Sequence, residues 1–176
     1  MNQHDNINDL EIRRLCNLNE AKLCARLMAD NEPWITLKRD YSSALKIISD
    51  TSREVYLALK KGEIVGFIVI ILHGAIFGYI QSVCVANEWR NKGIGSRLMV
   101  YAEKHIFSRT PNVFICVSSF NSAARKLYER LGYQTIGELK DYIVSGHSEI
   151  LLRKTIGPLS EFKEKELDHL LNAIEP

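Results

Sequence analysis

The sequence predicts a mixed α+β domain, a sheet with helices on both faces. Three observations predict it. Short β-rich runs are interleaved with amphipathic helical patterns, in the order hairpin, strand, helix, strand, helix, strand, strand. Two of the runs flank a glycine turn and read as a hairpin. At 176 residues, 46% hydrophobic and 25% charged, the chain suits a single core. No repeat, low-complexity tract or second domain is legible, so residues 1–176 are read as one domain with its core at about 10–154.

The elements follow in order. Leu10 to Leu15 alternates as a first strand, and Asn19 starts a helix that runs to Met28. Asn31-Glu32-Pro33-Trp34 breaks that helix and leads to a second, about Tyr41 to Ile48. Glu54 to Leu59, the turn Lys60-Lys61-Gly62 and Glu63 to Leu72 form the hairpin. His73-Gly74 opens the next turn, and Tyr79 to Val85 is a strand. The helix after it turns Leu98, Met99, Ala102 and Ile106 inward and ends before Pro111. Val113 to Val117 is a short buried strand. Asn121 or Ser122 then caps a helix to Leu131, with Gly132 as its C′ residue. Tyr133 to Val144 and Glu149 to Lys154 are the last strands, joined at Ser145-Gly146-His147. Beyond Gly157-Pro158, the spacing of Phe162, Leu167, Leu170, Leu171 and Ile174 gives an amphipathic helix over 160–174, which either covers the sheet or pairs with a second copy as a homodimer.

Composition narrows the function. A net charge of +2 is too small to mark a nucleic-acid surface. The polar start Met1-Asn2-Gln3-His4-Asp5-Asn6 lacks the apolar core of a signal peptide, and the longest apolar run, Ile64 to Leu72, is too short to cross a bilayer. A cytoplasmic protein with no membrane contact is expected. Cys16, Cys24, Cys84 and Cys116 form no Cys-x-x-Cys pair, so buried free thiols are expected and no metal.

The chemistry centres on Arg90-Asn91-Lys92-Gly93-Ile94-Gly95-Ser96, between a strand and a helix. Such a junction offers bare backbone N–H groups and the positive helix end, roughly half an elementary charge, to an anion such as a diphosphate. An ordinary tight turn has the same glycine pair. A nucleoside-triphosphate loop would need Lys-Ser or Lys-Thr directly after the last glycine, but Ser96-Arg97 follows Gly95. A dinucleotide fingerprint would need glycine where Leu98 stands. A nucleotide-binding domain is therefore disfavoured. Further on, Ala124, Leu127, Tyr128 and Leu131 fall on one inward stripe, where Tyr128 reads first as a core residue.

Arg-x-x-Gly-x-Gly at Arg90, Gly93 and Gly95 resembles the acyl-coenzyme A loop of the GNAT superfamily of acetyl-CoA-dependent N-acetyltransferases. Asn-x-x-Ala-x-x-x-Tyr-x-x-x-Gly-Tyr, from Asn121 to Tyr133, resembles the second signature of the same superfamily. The resemblance implies a mostly antiparallel sheet of six to seven strands whose two central strands splay around the pantetheine arm. It implies acetyl-CoA as co-substrate, held by the backbone of Val83, Cys84 and Val85, by Asn91, Lys92, Gly93, Ile94, Gly95 and Ser96 around the diphosphate, and by Asn121. Arg90, Arg97, Arg125 or Lys126 would neutralise the remaining phosphates. Tyr128 would protonate the departing thiolate as general acid after direct attack by an amine; a tyrosine near pKa ~10 and a thiol near ~8.5 suit that donation.

The general base is the gap in this reading. Where one branch of the superfamily carries a glutamate, this chain has Cys116, and Tyr79 and Gln81 on the preceding strand are not carboxylates. Gln81 is expected on the face of Val83 and Val85. Asp141, Tyr142, His147 and Glu149 are further base candidates, and Glu32-Pro33-Trp34 a candidate acceptor wall. Neutralising a lysine amine at pH 7 costs about 4 to 5 kcal/mol, against about 1 for an α-amine. Without a base, either a low-pKa amine, such as a peptide α-amine or a small-molecule amine, is the expected acceptor, or a water relay removes the proton. A non-catalytic acyl-CoA-binding sensor on the same scaffold is the alternative.

Overall fold

The computed structural model describes residues 9–162. In chain order the elements are β1 (Leu10–Arg14), α1 (Leu18–Ala29), α2 (Tyr41–Ile48), β2 (Glu54–Lys60), β3 (Glu63–Ile71), β4 (Tyr79–Val85), α3 (Ile94–Phe107), β5 (Asn112–Ser118), α4 (Ser122–Arg130), β6 (Gln134–Leu139) and β7 (Glu149–Thr155). The strands form one seven-stranded sheet in the order β1-β2-β3-β4-β5-β7-β6. All neighbours are antiparallel except β4 and β5, which run parallel.

Apolar alternation divides the core between the two sheet faces. Phe67, Val69, Leu57 and Val55 pack with Ala21, Cys24, Met28 and Ala44 of α1 and α2. Ile68, Ile70, Ile80 and Ile115 pack with Leu98, Met99, Ala102 and Ile106 of α3 and with Tyr128 of α4. The four α3 residues expected inward are all fully buried.

Local chemistry sets the boundaries. The first helix starts at Leu18, because Asn17 Oδ1 accepts from the Glu20 amide at 3.0 Å and Glu20 Oε2 accepts from the Cys16 amide at 2.8 Å, a reciprocal cap. Asp40 caps α2 and Asn121 caps α4 through the amides of Ser43 and Ala124. Gly132 ends α4 at φ 91°.

Three sequence expectations change. The strand expected to reach Val144 stops at Leu139, because Asp141 enters the left-handed region at φ 51° and its carboxylate accepts from the Gly146 amide at 2.6 Å, which folds 140–148 into a loop. Gln81 does not share a regular face with Val83 and Val85. Val69 opposes Ser82 and Ile70 opposes Ile80, so Gln81 is the extra residue of a β-bulge. Cys16 is exposed, while Cys24 and Cys84 are buried and Cys116 is half-buried; all four are free thiols. A helical turn begins at 159, and the rest of the helix expected over 160–174, with any homodimer through it, lies outside the described residues.

Candidate functional site

The bulge at Gln81 opens the sheet. Below it, β4 and β5 pair at Tyr79 with Phe114 and at Ile80 with Ile115; above it they part. A bulge adds twist and bends the strand that carries it, so β4 veers away from β5 and leaves a wedge. The wedge continues into a cleft of about 970 Å³, lined by β4, β5, the 90–96 turn, α4, the 32–39 segment and the 142–149 loop.

The turn at the wide end presents backbone amides that no side-chain cap engages. Asn91 and Gly93 are both left-handed, at φ 59° and 82°, a geometry that gathers successive N–H groups into a concavity. Gly93 is the N-cap of α3, and no side chain caps the helix there. Its first-turn amides therefore face the cleft without a partner from a cap. Among the residues expected around a diphosphate, Asn91, Gly93, Gly95 and Ser96 line the cleft. Ile94 turns its side chain into the core, and the Lys92 ammonium lies 4.7 Å from the centroid of the Trp89 ring.

The cations are arranged differently from the sequence expectation. Arg90 lines the cleft, but its Nε donates to the Val85 carbonyl at 3.2 Å and its Nη2 to Asn31 Oδ1 at 3.0 Å. It ties the end of β4 to the end of α1. Arg125 pairs with Glu129 at 3.0 Å on the outer face of α4, and Arg97, Arg125 and Lys126 are not among the cleft residues; Arg130 is. On β4, the Cys84 carbonyl faces β3, only 2.7 Å from where a Cβ on Gly66 would sit, so Gly66 is required for the close approach of the two strands. The Cys84 thiol points toward the Leu27 carbonyl at 3.7 Å, and burial raises its pKa. By strand alternation the open edge belongs to the peptide groups of Val83 and Val85.

Tyr128 is both a core residue and a cleft residue. Its ring is buried and packs 6.0 Å from that of Tyr133, and it reaches the cleft from α4, as do Asn121 and Leu127. Burial pushes the Tyr128 pKa up, so the hydroxyl stays protonated across the working range. The pKa match expected from free tyrosine and thiol values changes accordingly. A thiolate leaving into the same desolvated wedge is also more basic than in water, which restores part of the driving force.

The opposite end of the cleft holds a carboxylate. Glu149 begins β7 opposite Ser118 on β5, and its side chain lines the cleft while the residue is only 4% exposed. Ser118 Oγ donates to Glu149 Oε1 at 2.6 Å. Burial raises the Glu149 pKa, against the lowering effects of the Ser118 hydrogen bond and of the Arg39 charge. A carboxylate with a raised pKa is a stronger base than an ordinary one, a property that suits a proton acceptor. Tyr79 and Cys116 adjoin Glu149, and burial raises the pKa of both. Gln81 Oε1 is buried without a hydrogen-bond partner and belongs to a cleft-lining side chain.

Of the other base candidates, Tyr142 lines the cleft, whereas Asp141 is spent on its own loop and His147 stacks edge-on against Phe120 at 4.9 Å, outside the lining. Glu32, Pro33 and Trp34 form one wall, with Trp34 also packed into the α1–α2 core. Arg39 and Ser118, also in the lining, had no signal in the sequence. Among the described residues no group of His, Cys, Asp and Glu has the makings of a metal site, and no helix is long and apolar enough to cross a membrane.

A sheet parted at one parallel pair, with a glycine turn at the mouth of the gap, defines the class to which this fold belongs. The Acetyltransferase (GNAT) family model matches residues 18–133, and the chain belongs to that family. An uncharacterized N-acetyltransferase of Chlorobaculum tepidum is 31% identical over 102 residues, 58% of this chain and 61% of that protein. An N-alpha-acetyltransferase of Sulfurisphaera tokodaii is 26% identical over 111 residues, 55% of this chain and 66% of that protein. The chain thus spans somewhat under two thirds of the length of these relatives. In three dimensions it matches an acetyltransferase of the GNAT family from Desulfovibrio desulfuricans with a TM-score of 0.72 at 18% identity, over 84% of this chain and 99% of that one. It also matches an aminoglycoside 6'-N-acetyltransferase complexed with coenzyme A, with a TM-score of 0.67 at 21% identity, over 84% and 98%.

Proposed function

We propose that the protein transfers an acetyl group from acetyl-CoA to a primary amine, a peptide α-amine or a small-molecule amine, by direct attack on the thioester. The observation that carries this reading is the wedge between β4 and β5, with bare amides at one end and a buried carboxylate at the other. Family membership and the coenzyme A bound by one structural neighbour support the choice of co-substrate.

In this reading the amides of Gly93, Ile94, Gly95 and Ser96 take the diphosphate, and Asn91 and Lys92 complete the turn. The peptide edge at Val83 and Val85, where the Val85 carbonyl also accepts from Arg90, pairs with the pantetheine amides as another strand would. Asn121 flanks the arm from the start of α4. Glu149 accepts the amine proton, directly or through a water near Gln81. The nitrogen adds to the acetyl carbon, the C–S bond breaks, and Tyr128 delivers a proton to the thiolate. The products are the N-acetylated amine and the free thiol of coenzyme A. No enzyme-bound acyl intermediate is required, and the thiols of buried Cys84 and half-buried Cys116, with raised pKa values, are poor nucleophiles.

Thiol release from acetyl-CoA across a panel of amines tests the proposal. Amine-dependent release supports it. Tight binding of coenzyme A with no release on any amine would support a sensor instead, and thermal stabilisation by ATP or NAD rather than coenzyme A would point to a nucleotide-binding domain.

A further inference from the structure

The cleft is lined by a cation that no group among the described residues pairs with. Arg39 precedes α2, and its backbone amide donates to the Trp34 carbonyl at 2.9 Å, which fixes the segment. The guanidinium is half-buried and lines the cleft, and among the described residues it makes no hydrogen bond or ion pair. Arg13, Arg53, Arg90, Arg109, Arg125 and Arg153 each donate to a side-chain or backbone oxygen, while Arg14, Arg26 and Arg130, which donate to none among the described residues, are exposed rather than half-buried. A guanidinium offers five donors in a rigid fork matched to a carboxylate, and in the cleft those of Arg39 are open to one.

Its neighbours locate it. Burial lowers the Arg39 pKa, while Tyr79 and Glu149 act on it through space in the opposite direction. Arg39 belongs to the 32–39 wall of the cleft, the segment that also brings Glu32, Pro33 and Trp34 to the lining, and not to the 90–96 turn, which suits it to the acceptor rather than to the diphosphate. Glu149, close enough to feel Arg39 but not paired with it, supplies the complementary group. The cleft lining thus presents a cation and a carboxylate that do not pair with each other, together with the unpartnered Gln81 Oε1.

We propose that the acceptor is a free α-amino acid, its carboxylate held on the fork of Arg39 and its amine directed to Glu149 and Gln81. The inference rests on the acetyltransferase reading above. One amine proton passes to Glu149, the new N–C bond forms as the C–S bond breaks, and the product is an N-acetylamino acid. The carboxylate stays ionised throughout, so Arg39 binds and orients the acceptor and takes no part in proton transfer.

The test compares kcat/KM for free amino acids, their primary amides and dipeptides beginning with aspartate, in wild type and in Arg39→Gln. The wild type is expected to favour the acid over the amide by about 10- to 100-fold, the range for a charge-assisted contact, although the amide has the less basic amine and thus more of its neutral form. Arg39→Gln should collapse that ratio to about threefold or less, mainly through KM, while acetyl-CoA raises its melting temperature as in wild type. Equal or faster turnover of the amide by wild type overturns the proposal without reference to any variant, and so does a ratio that survives in Arg39→Gln. Better use of the aspartyl dipeptide than of the free acid also overturns it, assigning Arg39 to a peptide acceptor. If acetyl-CoA binds but no amine in any series releases thiol, the acetyltransferase reading itself fails.

Discussion

Ser118 Oγ donates to Glu149 Oε1 at 2.6 Å across the β5–β7 pairing, and this contact sets the orientation and the charge of the carboxylate in the cleft. Hydrogen bonding to the ionised form favours it, so Ser118 restrains the rise that burial imposes on the Glu149 pKa. A base must be ionised to act, which gives kcat/KM an acid limb at the Glu149 pKa. Replacing Glu149 by Gln should lower kcat/KM by about 10² to 10⁴-fold and erase that limb. Ser118→Ala removes the stabilising donor and should move the limb to higher pH. A pH profile of kcat/KM for the three proteins checks both, and an unmoved limb in Glu149→Gln would exclude Glu149 as the base.

Tyr128→Phe separates packing from proton delivery. The ring is buried against Tyr133, and phenylalanine keeps that contact. The expected outcome is a melting temperature close to wild type, little change in coenzyme A affinity, and a fall of about 10² to 10⁴-fold in kcat. Single-turnover thiol release with saturating acetyl-CoA measures it.

Gly93 holds φ 82° at the start of α3, where a side chain is strained. Gly93→Ala should cost about 1 to 2 kcal/mol of stability and loosen acetyl-CoA by distorting the amide concavity. Denaturant unfolding with and without acetyl-CoA reads the two effects separately.

A second network, away from the cleft, governs acid stability. Glu54 accepts from Tyr56 at 2.8 Å and from Arg109 at 3.0 Å, and His105 Nε2 lies 2.6 Å from it. Burial alone would raise its pKa, but these three contacts outweigh it and hold the carboxyl at about 2, against an ordinary 4.5. The folded state therefore binds this proton less readily than the unfolded chain. The resulting stability is fully present above about pH 4.5 and is lost as pH falls toward 2. After discounting for solvent screening of a side chain that is 19% exposed, we expect Glu54→Gln to cost about 1 to 2 kcal/mol at pH 7 and to flatten the loss of stability between those pH values. Urea unfolding from pH 7 to pH 2 measures it.

What the sequence revealed follows from how local each feature is. The glycine turn was legible because left-handed backbone and an uncapped helix start are written in adjacent residues, Asn91 to Gly95. Strands β2 to β5 were legible from alternation and glycine turns. The bulge was not, because Tyr79-Ile80-Gln81-Ser82-Val83 reads as unbroken alternation, and only the register with β3 reveals the extra residue. Glu149 was named as one of several polar groups near a turn; its burial depends on pairing with Ser118, thirty-one residues away. Arg39 gave no signal, since an arginine before a helix cap is usually a solvated side chain and its placement in the cleft is decided by tertiary packing.

The central claim concerns where the carrier sits, and a crystal structure with acetyl-CoA tests it most directly. The account predicts diphosphate oxygens within hydrogen-bonding distance of the amides of 93–96, with the pantetheine arm lying along Val83 and Val85 in the wedge beside β5. Acetyl-CoA bound elsewhere, with β4 and β5 still parted around nothing and the 91–96 turn vacant, would contradict it.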